Sequence, residues 1–146
     1  MLKIHEHPDE DAIEVIVDGR VERAEYEANR DRMETFMAKR GRVRLLEVIR
    51  DIGPVSPAVM WEDTAFAFRH WGDFSRIAVV TKEQWLSSLL ASLQAFFAGE
   101  VKAFTLDRCE EAWAWLTQHA PRKAGAPHCR EEAKTDRKAG KGEDNA

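Results

Sequence analysis

The chain has 146 residues, 44% of them hydrophobic and 33% charged, with a formal net charge of -4. One globular domain is the expected size class, and this apolar content excludes wholesale disorder. Two cysteines, Cys109 and Cys129, are too few for a disulfide framework, and an acidic surface repels phosphate backbones, which speaks against a nucleic-acid partner.

Taken in chain order, Leu2 to His7 and Ala12 to Asp18 flank a Pro8-Asp9-Glu10-Asp11 turn. Ile13, Val15 and Val17 alternate along the second segment, so an N-terminal β-hairpin is predicted. Between Glu22 and Arg40, Tyr26, Met33, Phe36 and Met37 share a narrow arc, the mark of a helix with one buried stripe. Val43 to Ile49 reads as a strand. Ser56-Pro57 is an N-cap residue followed by proline at the first helical position, opening a second helix that runs to about Trp71.

Arg76 to Val80 and Val101 to Phe104 are short apolar runs, expected as strands buried on both faces. Between them a third helix opens at Lys82 or Glu83 and is expected to close at Gly99 through a left-handed cap. A fourth is expected to start at Asp107, with Glu110 at capping-box spacing and Cys109, Ala112, Trp113 and Leu116 on its inner face. From Pro121 to Ala146 there is no Val, Ile, Leu, Met, Phe, Trp or Tyr, too little apolar surface to offset ordering entropy.

The expectation is a single α/β domain over residues 1–120, with a mixed five-stranded sheet and about four helices, and a disordered charged tail over 121–146. Residues 1–120 carry 15 basic and 21 acidic side chains, a net of -6. No apolar h-region follows the charged start, so no secretory signal is read and the cytoplasm is the default compartment.

Trp61-Glu62-Asp63, then the run Phe68-Arg69-His70-Trp71-Gly72-Asp73-Phe74-Ser75-Arg76-Ile77-Ala78-Val79-Val80, then Trp85 and Phe96-Phe97-Ala98-Gly99-Glu100-Val101-Lys102-Ala103-Phe104 form a recognisable order. Over about residues 2–118, ending in Ala114-Trp115-Leu116, the chain resembles the SpoIIAA-like family. Members share the STAS fold and are compared with the CRAL-TRIO lipid-transfer fold. The resemblance implies a non-catalytic domain, with hydrophobic-ligand binding or membrane association as the functions proposed for such structures. One family feature does not carry over. The anti-sigma factor antagonists hold a phosphorylatable serine in an Asp-Ser-Ser-Gly motif, whereas this chain has Arg50-Asp51-Ile52-Gly53-Pro54-Val55-Ser56-Pro57. Ser56 is therefore read as an N-cap.

Two helices stand out for function. In the second, Met60, Trp61, Thr64, Ala65, Ala67, Phe68 and Trp71 occupy about half the circumference, and Val59 with Phe66 forms a separate apolar stripe. In the third, no charged residue occurs from Gln84 to Gly99. Its apolar arc holds Trp85, Leu86, Leu89, Leu90, Leu93, Phe96 and Phe97, and its other face is Ser, Ala and Gln. Such a face resembles helices that respond to loose lipid packing more than those held by anionic headgroups. The run is too short and too often interrupted by polar residues to cross a bilayer.

Trp61, Phe68, His70, Trp71, Trp85, Leu89 and Phe96 are the candidate ligand-binding set, either lining an apolar crevice between the two helices or filling the core. Phe66 and Leu90 are the candidate membrane or partner contacts, and the same helices offer a homodimer interface. His70 is expected to cap its helix or bind the Asp73 loop. His5 and His7 share one strand face, but two histidines do not make a metal site. No nucleophile elbow and no phosphate-binding glycine motif is present, so no cofactor is expected and a non-catalytic role is read.

Overall fold

The computed structural model describes residues 1–53, 65, 69–70 and 72–118. Strands β1 (Leu2–His7) and β2 (Ala12–Gly19) form the expected hairpin, joined by a single 3-10 turn over Pro8–Glu10. Asp11 closes the turn in the left-handed region at φ 48°, a conformation aspartate tolerates better than most side chains. Helix α1 (Arg23–Arg40) follows, then strands β3 (Val43–Ile52) and β4 (Phe74–Thr81), helix α2 (Gln84–Leu93), strand β5 (Glu100–Phe104) and helix α3 (Cys109–Leu116).

The five strands lie in the order β1-β2-β3-β4-β5, with β1 antiparallel to β2 and the rest parallel. The sheet is mixed, as expected. Three parallel neighbours in sequential order require crossovers of one hand, which puts α1 and the end of α2 on one face. There Phe36 and Met37 of α1, with Phe97 after α2, pack on Ile4, Ile13, Val15, Val43 and Phe74. The opposite face is covered by α3, whose Cys109, Ala112, Trp113 and Leu116 pack on Ala12, Ile16, Leu46, Val48, Ala78, Val80 and Phe104. Both predicted buried arcs are thereby realised.

Side chains of α1 satisfy the open backbone of edge strand β1. Glu25 accepts from the Leu2 amide at 2.7 Å, and Asn29 donates to the Leu2 carbonyl at 3.2 Å. On the other face Arg76 holds the end of α3. Its Nη1 donates to the Trp115 carbonyl at 2.9 Å, its Nε meets Glu100 at 2.7 Å, and the guanidinium lies 5.2 Å from the centre of the Trp115 ring. A charge-assisted bond combined with cation–π contact is among the stronger surface arrangements.

Four expectations need correction. β5 is an edge strand with Glu100 and Lys102 exposed, so it is not buried on both faces. The third helix ends at Leu93 and passes into a 3-10 turn over Gln94–Phe96. Gly99 is not its left-handed cap, because only Gly19 and Gly41 among the described glycines have positive φ. The fourth helix starts at Cys109 after a 3-10 turn over Leu106–Arg108, and its N-cap makes no side-chain hydrogen bond, so the Asp107–Glu110 box does not form. The expected second helix lies outside the described residues except at Ala65, Arg69 and His70, as do Ser56 and the tail.

Two carboxylates at this helix start, Asp107 and Glu111, have partners of their own. The Thr105 hydroxyl, with the Asp107 amide, holds the Asp107 carboxyl below its ordinary value. Glu111 is held low chiefly by its hydrogen bond from Arg108, whose Nε stands 2.7 Å from Oε2. A depressed folded-state value means support that is present above the unfolded pKa and lost as pH falls through the folded one. These side chains lie in solvent, so the expected effect is local. The amide signals of Cys109 to Ala112 should titrate with the carboxylates while global stability stays level, and amides indifferent to acid would contradict the assignment.

Candidate functional site

Helix α2 begins where β4 delivers Thr81, a buried residue whose Oγ1 accepts the Glu83 amide at 3.1 Å. This short turn sets the helix start, and the side chain of the N-cap residue, Glu83, makes no capping hydrogen bond. Trp85 and Leu89, four residues apart, share one face. Trp85 is 59% exposed, Leu89 47% and Phe96 78%, and with Met1 they are the exposed large apolar side chains among the described residues. Leu86 and Leu90 are half-buried.

The polar face of α2 is turned onto itself. Ser88 Oγ donates to the Gln84 carbonyl at 3.1 Å and Ser92 Oγ to the Ser88 carbonyl at 3.1 Å. Hydroxyls satisfied within the helix leave a surface with little demand for water. Beyond the helix, the Gln94 amide donates to the Gly99 carbonyl at 3.1 Å, and its Oε1 accepts the Val101 amide at 2.7 Å. This staple fixes the connection to β5, with Phe97 buried and Phe96 outside.

The inward placement considered for the third-helix aromatics therefore holds for Phe97 and fails for Trp85 and Phe96. A helix beside an edge strand has fewer inner positions than its sequence has apolar residues, and the surplus faces solvent. Leu90, read as an outward contact, is half-buried; Leu89, read as a crevice residue, is the more exposed of the two. Trp61, Phe66, Phe68 and Trp71 lie outside the described residues.

His70 is committed to the fold. Its Nδ1 lies 2.8 Å from Asp73 Oδ2, as expected, and its Nε2 faces Glu34 of α1 at 3.6 Å. The Asp73 carbonyl in turn accepts the Val43 amide at 2.8 Å. His70 thus ties the approach to β4 against α1 and the start of β3. On the opposite face His7 Nε2 stands 3.0 Å from Glu14 Oε2, a pairing the sequence reading missed. Among the described residues no group of three or more His, Cys, Asp or Glu is placed to hold a metal, and no helix is long and apolar enough to cross a membrane.

No curated protein matches the chain. Among solved structures, an uncharacterised protein from Shewanella loihica PV-4 with a SpoIIAA-like fold superposes with a TM-score of 0.66 at 20% identity, covering 80% of this chain and 92% of that one. At that identity the likeness speaks to fold, which agrees with the hairpin, the sequential parallel strands and the α3 cover described above. The SpoIIAA-like family profile matches residues 12–117, the span that runs from β2 to the end of α3, and the chain belongs to the SpoIIAA-like family.

Proposed function

We propose that this SpoIIAA-like domain is a non-catalytic module that associates reversibly with membranes through α2. The observation that carries the reading is the presence of Trp85, Leu89 and Phe96, all substantially exposed, on α2 and the 3-10 turn that continues it, with no charge from Gln84 to Gly99. Exposed apolar groups concentrated in this way mark contact surfaces, and Trp with an apolar body and polar edge suits a lipid–water boundary. An enclosed hydrophobic-ligand pocket receives less support, since these three side chains open to solvent.

The family and fold agree with a regulatory, non-catalytic role. Flotation with vesicles of mixed zwitterionic and anionic phospholipid tests the membrane contact. Wild-type protein should rise with the vesicles. Leu89→Asp forfeits about 2 kcal/mol of side-chain burial, which alone weakens partitioning about 30-fold, and Phe96→Ser should act similarly. Both sites are exposed, so the fold should persist by circular dichroism. Wild-type protein that stays with the soluble fraction would remove the reading.

A further inference from the structure

We propose that the lipid surface met by α2 is a zwitterionic bilayer with loose headgroup packing, recognised without anionic lipid. This inference rests on the membrane reading of α2 and adds the lipid class. Charge is the first argument. Lys82 and Glu83 precede the helix and Glu100 and Lys102 follow it, two basic and two acidic side chains, so the helix has no net basic rim. Residues 1–120 carry a net of -6, which an anionic leaflet repels.

Shape is the second argument. Trp85 on α2 and Phe96 on the 3-10 turn after it are bulky wedges, and the small residues of the same stretch are Ser88, Ala91, Ser92 and Ala95. With Ser88 and Ser92 bonded to their own helix, that surface offers few hydrogen bonds and no charge to headgroups. Its attraction to a bilayer must come from inserting the apolar side chains, and insertion needs gaps between headgroups, so binding depends on curvature and chain packing.

Area separates this occupant from a second copy of the chain. With about 150–250 Å² available per aromatic side chain, the exposed fractions of Trp85, Leu89 and Phe96 amount to roughly 400 Å². These three side chains alone supply about half of the 800 Å² that a stable protein interface takes from each partner, so a second copy would have to recruit further surface beside them. A bilayer sets no such threshold, because each inserted side chain contributes on its own.

The test compares full-length protein on small sonicated and large extruded vesicles of dioleoylphosphatidylcholine, on large vesicles of a saturated phosphatidylcholine, and on large dioleoylphosphatidylcholine vesicles containing phosphatidylserine, at low and high salt. Binding should strengthen about tenfold from large to small vesicles. It should be weakest on the saturated lipid and gain nothing from phosphatidylserine or low salt. Binding that appears only with phosphatidylserine and fades with salt would overturn the lipid class while leaving membrane association standing. Absence of binding to every vesicle would overturn both, and a concentration-dependent dimer abolished by Leu89→Asp would then assign the surface to a second copy.

Discussion

Changing His7 to leucine is expected to lower stability by about 3 kcal/mol or more, read as a reduced midpoint in urea unfolding. The reason lies next to it. Glu14 is fully buried on the α3 face of β2, opposite His5 on β1 and Leu46 on β3. One carboxylate oxygen meets His7 Nε2 at 3.0 Å, and the other, Oε1, has no hydrogen-bond partner among the described residues. The His7 ring is in turn covered by Trp113 of α3, with ring centres 4.7 Å apart. Without the imidazole, the carboxylate would lose the one side-chain hydrogen bond it makes among the described residues, on a face shared with Ala12, Ile16 and Leu46.

The expected pattern is asymmetric. Glu14→Leu leaves behind a histidine whose side chain is 16% exposed and able to reach water, so its cost should be about 1 kcal/mol. The double change to leucine should fall within about 1 kcal/mol of the wild type, since a buried polar pair exchanged for apolar groups is often neutral. Equal, small effects from both single changes would sink this account of the pair.

Why the sequence hid this pair is instructive. Alternation along Ile13, Val15 and Val17 identifies one core face and assigns Glu14 to the other, which in a hairpin at the edge of a sheet would be wet. β2 is an interior strand, however, and α3 returns from the far end of the chain to cover its second face, so Ala12 to Ile16 are all buried. Local periodicity contains no information on which distant element covers a face. The strands and the inner arcs of α1 and α3 were legible because each is a run whose pattern answers to its own burial.

The candidate surface was legible in position and misread in direction. The uncharged stretch from Gln84 marked the element, and an apolar arc on an amphipathic helix ordinarily points inward. For α2 the bound is geometric. It packs at the β5 edge, where Phe97 and the half-buried Leu86 and Leu90 take the inner positions. That limit belongs to the sheet order, which no single segment specifies. His70 was placed correctly against Asp73 because the two are three residues apart, whereas Glu34 reaches it from another helix.

Gly99→Ala should cost about 2 kcal/mol, in the range of overpacked core sites, although alanine is the smallest change available. A Cβ built at Gly99 would stand 2.5 Å from the Ser75 carbonyl oxygen, 3.0 Å from that of Phe74 and 2.8 Å from the Phe97 ring. Two of these neighbours are backbone at the start of β4, so relief requires the strand or the turn to move. The turn is also where Gln94 binds the Gly99 carbonyl and the Val101 amide. Displacing it loosens the staple that leaves Phe97 inside and Phe96 outside, so Gly99→Ala should speed hydrogen exchange at the Val101 amide and weaken vesicle binding in step with stability. Gly72 is the control. A Cβ there meets nothing within 4 Å, and Gly72→Ala should stay within about 0.5 kcal/mol of wild type. If both alanine variants unfold at the same urea concentration, the close approach of Gly99 to β4 is not a constraint on the fold, and the outward placement of Phe96 must be explained by α2 alone.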